Sequence, residues 1–532
     1  MNLLTDKWIP IIRKDGTEEL IRPSQITADY NKNPIERINA ARPDFTGALY
    51  QFLIGIMQTV MTPNDNDEWV KYAEEPPTVE QLDELFQREK NAFNLDGNKP
   101  RFMQDYDLEP ADENPISGLF IEAPGANTIK LNKDHFIKRG YIQKVCAACA
   151  ATALFTLQTN APSGGVGHRT SLRGGGPMTV LYAPKGSEDD PFTLWLTVWY
   201  NIVNSETLKK TGASAKKSKA SVYPWMAPTT TSEAKTGKTV TGKDIHYCQV
   251  YWSMPRRIVI SKPIEEAGIC DICGIQQDTF FTDYTTKNYG IDYSEQILHP
   301  LSPYYLADKQ GTLLPTHPQP GGFSYRNWPI LALSITEGSE PPITLFDLKN
   351  RLTKQSEKSI FVFGYDMDNM KARCWYEATM PLYNIPKTIE QDVTSKITGL
   401  ISAAEQVVYN TREAVKKAWY KRPGDKKGDV SFIENTFWEG TESFFFEQVT
   451  ALIDFYQNKA GTESIQSVMK SWHAKLVNFS LDLFEQYVER YPIQWEDPEQ
   501  IINARDDLVK YNYSKKIKQA LGLPVETNKE AG

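Results

Sequence analysis

Cys146 to Pro177 reads CAACAATALFTLQTNAPSGGVGHRTSLRGGGP, and the rest of the chain is organised around it. The stretch opens on two cysteines at metal-ligand spacing, Cys146 and Cys149. An apolar, helix-permissive run from Ala150 to Leu157 carries the chain on to Pro162. Two glycine clusters follow, Gly164-Gly165-Val166-Gly167 and Gly174-Gly175-Gly176, separated by His168, Arg169 and Arg173. Glycines let a backbone approach a ligand that side chains would hold away. The interleaved arginines suggest an anionic ligand. The plainer alternative is a flexible hairpin with solvated arginines.

The other cysteines give this stretch a partner. Six are present; Cys270-Asp-Ile-Cys273-Gly forms a second knuckle, and Cys248 and Cys374 stand alone. Two CxxC knuckles suit a tetrathiolate zinc site better than disulfides in a reducing compartment. Such a metal, with all four positions filled by protein, is structural and staples two distant segments. The alternative is two pairs of unmetallated core cysteines; ligand type and spacing favour zinc.

With 532 residues the chain exceeds one compact core, so two or three domains are expected. A hydrophobic content of 40% and an aromatic content of 11% describe a well-packed protein. The formal charge of −8 excludes a global basic field, so any nucleic-acid contact has to be local. Asn2-Leu3-Leu4-Thr5-Asp6 lacks the features of a signal peptide. The apolar run from Phe52 to Met61 is too short to span a bilayer. A cytoplasmic protein with no membrane partner is expected.

Taken in order, residues 1–45 read as strand-like pieces. A helix is expected over about 44–62, where Phe45, Leu49, Phe52 and Ile56 recur at helical spacing, and another over 79–90. Residues 105–140 read as a long polar loop, rich in Lys130, Asn132, Lys133, His135, Lys138 and Arg139. Residues 205–246, dominated by Lys, Ser, Thr and Gly, read as a loop or flexible insertion. Gly237-Lys238-Thr239 within it is no P-loop, because Ser232 stands where the first glycine is needed and no buried strand precedes it. Lys287 is expected among aromatics in a short loop. A strand from Ile360 to Phe363 leads through Gly364-Tyr365 to a polar tip, Asp366 to Lys371. Four helical patterns follow at 387–420, 431–457, 464–490 and 497–520, which predicts a C-terminal four-helix bundle over 386–532.

Catalytic signatures are absent: no GxSxG elbow, no HExxH and no dinucleotide-binding glycine pattern after a strand. Asp366 and Asp368 could hold a divalent metal, and His168 could act as a base. A surface turn and a polar loop residue are the plainer readings.

Several motifs recur here in one order: NLLTDKWIP, PRFMQD, the paired knuckles, APSGGVGHRTSLRGGGP and GYDMDNMKARCWYE. With the C-terminal bundle they resemble the large subunit (CasA) of the type I-E CRISPR surveillance complex, Cascade, over essentially the whole chain. The resemblance implies an α+β fold: a large mixed domain over 1–385 with the zinc-knuckle site, then the bundle. It implies no catalytic activity. It implies the other Cascade subunits and a CRISPR guide RNA as partners, with double-stranded target DNA and a separate helicase-nuclease. The family reads a short protospacer-adjacent motif (PAM) from the minor-groove side and helps open the duplex. Carried over, its glycine loop falls on Gly164, Gly165 and Gly167, with Val166 where another glycine is expected. Its lysine finger falls on Lys287. Its strand-splitting wedge falls on Asp368, Asn369 and Met370, and the segment that becomes ordered near the PAM falls on Asn132. A minor-groove reader tolerates several sequences, because that groove carries a degenerate code. The competing hypothesis is a zinc-stapled, metal-dependent nuclease or hydrolase using Asp366, Asp368 and His168.

Overall fold

The computed structural model describes the chain apart from residues 125, 132–138, 188–190, 334–337, 352–357, 369–370, 421–429, 460, 490–496 and 526–532. The chain forms two units, Met1–Gln319 with Gly338–Leu382, and Pro320–Glu337 with Tyr383–Gly532. Where the sequence suggested one cut near 385, a short segment from before the last strands belongs with the C-terminal helices. No helix among the described residues is long and apolar enough to cross a membrane.

The axis of the first unit is the Pro43–Val60 helix. Pro43 sits in the first turn, where a missing N–H costs no helical bond, and Asp44 faces the positive end of the helix dipole. The helix is apolar on nearly every side, so it has to be covered all round. Phe52 is ringed by Trp8, Phe93, Phe102, Phe155 and Trp252, with centroids 5.3 to 5.9 Å away and planes near perpendicular. That edge-to-face arrangement is the one favoured by ring quadrupoles. The Ala147–Asn160 helix packs against this axis.

Three antiparallel strands stand beside it, in the order Lys371–Leu382, Lys358–Asp368, Thr179–Pro184. Ile360 lies opposite Met380 on one side and Tyr182 on the other. Ile360 and Val362 are fully buried, so the period-2 alternation fixes which face meets the core. The strand is longer than the sequence suggested and runs to Asp368.

Residues 205–246 are not the loose insertion expected from their composition. Asn204 and Ser218 cap one-turn helices at Ser205–Leu208 and Lys219–Val222. Tyr223 and Trp225 are fully buried, and the Trp225 indole donates to the Ala92 carbonyl at 2.6 Å. Two aromatic anchors hold what the polar residues could not. The 105–140 segment is likewise more than a loop: Asn114–Pro115 pairs with the Asp283–Lys287 strand, and Ile116 and Leu119 are fully buried.

In the second unit the long helices are Glu390–Trp419, Ser431–Gln457, Thr462–Glu489 and Pro498–Asn512, with short ones at Trp328–Ala332 and Lys515–Ala520. Phe437, Phe445, Val449 and Leu452 are buried, as their spacing predicts. Tyr325, from the Pro320–Glu337 segment, stacks on Phe445 at 4.3 Å and shares a 2.9 Å hydrogen bond with Thr441. A buried polar set, Asn410 to Asn512 to Ser480 to Thr411, links three helices at 2.7 to 3.0 Å. Being satisfied throughout, it favours one register over its neighbours.

Candidate metal cluster and nucleic-acid interface

Cys146 stands at the N-cap of the Ala147–Asn160 helix in an extended conformation, and Cys149 lies one turn on. Cys270 and Cys273 occupy the turn between the Ile264–Ile269 and Gln276–Phe280 strands. That turn closes through Gly274, whose φ is +70° and whose N–H donates to the Cys270 carbonyl at 3.0 Å. The two knuckles are zipped together by Val145 and Phe281, which exchange backbone bonds at 2.9 and 3.0 Å. Asp271 adds to this by accepting from the backbone of Gln143 and Lys144.

All four sulfurs lie within 4.8 Å of one another, and those of Cys146 and Cys273 are 3.8 Å apart. A tetrahedral zinc with sulfurs at about 2.3 Å would set them about 3.8 Å apart, so the donor set fits. Hydrogen bonds from Cys146, Cys149 and Cys273 pull the Cys270 thiol down, while the neighbouring sulfurs push Cys149 up. Thiolates this close repel one another, and a bound dication is what lets all four ionise.

The glycine loop begins where this helix ends. Gln158, fully buried, clamps the Arg256 backbone by accepting its N–H at 2.9 Å and donating to its carbonyl at 3.0 Å. The Arg256 guanidinium in turn holds the Pro162 carbonyl from beneath. Arg256 is 8% exposed, pairs with no carboxylate among the described residues, and its Nε has no hydrogen-bond partner there. Burial lowers its pKa to about 10, and both burial and the Arg256 charge lower that of His168.

The three glycines of the loop do different work. A Cβ on Gly164 would stand 2.6 Å from His168 and 2.8 Å from Arg256. A Cβ on Gly167, at φ +77°, would stand 2.9 Å from the backbone nitrogen of Tyr289. Gly165, at φ +89°, has nothing within 4 Å of its Cβ position and is exposed, with Val166 beside it 75% exposed. Gly164 and Gly167 therefore serve packing, and Gly165 presents bare backbone to solvent.

Lys287 ends the Asp283–Lys287 strand, opposite Arg257, and is exposed; it is not in a loop as expected. Two residues on, Tyr289 is held at φ +65° by donating to the Gly167 carbonyl at 2.7 Å. The second glycine cluster meets the long hairpin: a Cβ on Gly176 would lie 2.6 Å from the Tyr365 carbonyl and 2.9 Å from Met367. Gly364 abuts the Pro177 carbonyl in the same way. The lysine strand and the hairpin therefore both converge on the 160–177 stretch. Asp368 is at the hairpin's exposed end. Asn132, Asn369 and Met370 lie outside the described residues.

Two expectations are corrected. Arg173 does not face a ligand; it is 3% exposed and donates to Gln51, Thr179 and Ser302. Asp366 is not on a surface turn; it is 3% exposed and takes a two-pronged bond from Arg373 at 2.7 and 3.0 Å. Its charge is matched by Arg373, and among the described residues the structure does not gather Asp366, Asp368 and His168 into a metal-capable cluster. Sequence reading also missed Arg256 and Tyr289. The Pro-Arg-Arg run before the strand was a usable signal for the first, while the left-handed backbone of Tyr289 left none.

The fold and site define a two-unit α+β protein with a four-cysteine staple and a braced, glycine-rich loop. The family model for CRISPR-associated protein Cse1 matches residues 2–483, and the chain belongs to that family, the large subunit of the type I-E Cascade. Its fold is similar to Thermobifida fusca Cse1 (TM-score 0.67, 15% identity, 98% of each chain covered). It is also similar to CasA of Thermus thermophilus (TM-score 0.64, 15% identity, 96% of this chain and 99% of that one). A chain of a CRISPR RNA-guided surveillance complex is alike too (TM-score 0.63, 14% identity, 97% and 99% covered). At such identities the likeness is one of fold.

Proposed function

We propose that this chain works inside an RNA-guided Cascade complex, bound to the other subunits and a CRISPR guide RNA, as its reader of the PAM on double-stranded DNA. The glycine loop enters the minor groove, Lys287 reads a base edge, and Asp368, Asn369 and Met370 wedge the first base pair apart. Apolar side chains at a base step unstack it. Because the guide specifies the target, the protein need read only a few base pairs. The opened complex then recruits a helicase-nuclease, and this chain does no chemistry itself. The four cysteines hold a structural zinc that keeps the loop's helix and the lysine-bearing strand in register.

One observation carries this reading: two elements far apart in sequence meet the one 160–177 stretch, the end of the lysine strand at Gly167, beside the bare backbone of Gly165, and the long hairpin at Gly176 and Pro177. The experiment is binding of reconstituted complex to duplexes with a good PAM, a bad PAM, and a pre-opened bubble. Gly165→Asp should lose PAM discrimination. Lys287→Ala should cost about 1–3 kcal/mol on the good PAM. Asn369→Ala with Met370→Ala should bind the PAM but open slowly, and the bubble should rescue it. If all three discriminate as the parent does, these elements are not the reader. Cleavage of DNA by the isolated chain with magnesium or manganese would instead support the nuclease reading.

A further inference from the structure

Residues 205–246 hold eight lysines and three carboxylates, in a chain whose net charge is −8. The structure sets this basic segment directly against the glycine loop. The Arg169 Nε donates to the Ser232 hydroxyl at 2.8 Å, and that hydroxyl donates to the Gly290 carbonyl at 2.8 Å. The Ser232 N–H completes the junction by donating to the Tyr289 carbonyl at 3.3 Å.

From Ser232 the chain makes a tight turn. The Thr236 and Gly237 N–H groups both donate to the Glu233 carbonyl, and Lys238 N–H reaches back to Thr231 at 3.0 Å. A Cβ on Gly237 would collide with the backbone of Ser232 and Glu233, so only glycine fits. This turn presents Lys235, exposed, one short step from the loop. Thr239–Val240 then pairs with Asp292–Tyr293, and Gly242 packs on the Gly212 carbonyl. That contact and the Ser214 to Ile245 bond, 3.1 Å, tie the backbone on either side of Lys243 to the 212–214 segment that leads into Lys216 and Lys217.

Lys216, Lys217, Lys235 and Lys243 are exposed and make no ion pair among the described residues. The carboxylates nearby are largely matched, Asp244 by Lys238 at 3.0 Å and Asp292 by Arg169 at 3.5 Å. Glu233 and Glu295 remain. What is left is a set of free ammonium groups on an ordered frame that is joined to the loop at Ser232. Lysines are compact point charges suited to phosphate and poor at bidentate base reading.

We propose that Lys216, Lys217, Lys235 and Lys243 form a phosphate track for double-stranded DNA that continues past the PAM, away from the guide-paired region. The inference rests on the glycine loop being the duplex reader. The strands on the guide side are separated, so the flank beyond the PAM is the duplex left to lie on this face. The track contacts backbone alone and adds affinity without sequence preference.

The test uses the assembled complex with all four lysines changed to Gln. These side chains are exposed, and an unchanged melting temperature confirms the fold. Binding is measured across a salt series on good-PAM and bad-PAM duplexes with a short or a long flank beyond the PAM. The parent should gain affinity with the long flank. The variant should lose that gain, and its log–log salt slope should be shallower by about 1 for each lysine engaged, with the ratio of good to bad PAM unchanged. A variant with the parent's slope and flank dependence overturns the proposal, as does a parent indifferent to flank length. Failure of the variant to join the complex also overturns it, because the lysines would then face RNA or a protein subunit. A parent that cannot tell the PAMs apart defeats the underlying reading instead, so the two failures are separable.

Discussion

The backbone N–H of Tyr289 donates to the carbonyl of Gly167 at 2.7 Å, and both residues sit in the left-handed region, at φ +65° and +77°. For a tyrosine that conformation costs on the order of 1–3 kcal/mol and persists only where the surroundings enforce it. Here it couples the glycine loop to the strand that ends in Lys287.

Gly165 and Gly167 should therefore respond differently to the same small change. Gly167→Ala drives a methyl against the Tyr289 backbone and should cost about 2–4 kcal/mol, combining strain with a contact that cannot relax. Gly165→Ala meets open space and should cost about 1–2 kcal/mol, the left-handed penalty alone. Denaturant unfolding of the two variants separates these outcomes. Equal losses would mean that the Gly167–Tyr289 contact does not constrain the loop.

The cysteine cluster predicts one zinc per chain by elemental analysis, bound through four thiolates. Cys270→Ser should lower the melting temperature and release the metal, because it removes one of four ligands from a staple joining residues more than a hundred positions apart. A strong chelator should move the parent toward the variant. A metal-free protein of unchanged stability would refute the zinc assignment.

How much of this was readable beforehand depended on the range of the interactions involved. The knuckles and the long helices were legible because their signals are local: a two-residue spacing, and Phe437, Phe445 and Val449 on one helical face. Arg173 was misread because its partners Gln51 and Ser302 lie 122 and 129 positions away. Nothing near Arg173 in sequence shows that its charge is spent inside. The order of 205–246 was hidden because two aromatics, Tyr223 and Trp225, outweigh their many polar neighbours once they reach the core. Of the site, the glycine loop was visible, whereas its brace of Arg256, Tyr289 and Ser232 existed only in three dimensions.

One buried histidine, His299, and two half-buried ones, His246 and His317, give the first unit a pH response. Burial and the Arg173 charge hold His299 far below its ordinary pKa, and burial lowers His246 and His317 as well. The native state thus resists a proton that the unfolded chain accepts. Their contribution is complete above the unfolded value of about 6.5 and is lost as pH falls below it toward the folded values. Each such histidine adds at most about 1.4 kcal/mol per pH unit to the slope. Melting followed from pH 7.5 to 5 should show falling stability, and His299→Gln should flatten the curve. A parent equally stable across that range would show that these rings protonate without unfolding.

The last prediction concerns the seat of the hairpin. The Tyr365 hydroxyl donates to the Asp44 carboxylate at 2.6 Å, and Arg42 grips the same carboxylate at 2.9 and 3.0 Å while also binding Glu122. Asp44 and Tyr365 are both buried, at 4% exposure each. Tyr365→Phe keeps the ring and its packing on Trp375 and removes one bond to a charged acceptor, so it should cost about 1.5–3 kcal/mol. Asp44→Ala should cost more, about 3–5 kcal/mol, since it strands a half-buried guanidinium and a buried hydroxyl together. Arg42 retains Glu122, which keeps the loss toward the lower figure. Because the two sites touch, the double variant should lose less than the sum of the singles. Additive losses in urea unfolding would mean that the hydroxyl and the carboxylate do not share a bond. Because Asp44 roots the hairpin on the central helix and leaves its far end untouched, Tyr365→Phe should also preserve the ratio of good to bad PAM binding in the assembled complex. A variant that unfolds little yet loses that ratio would move PAM discrimination from the loop to the hairpin base.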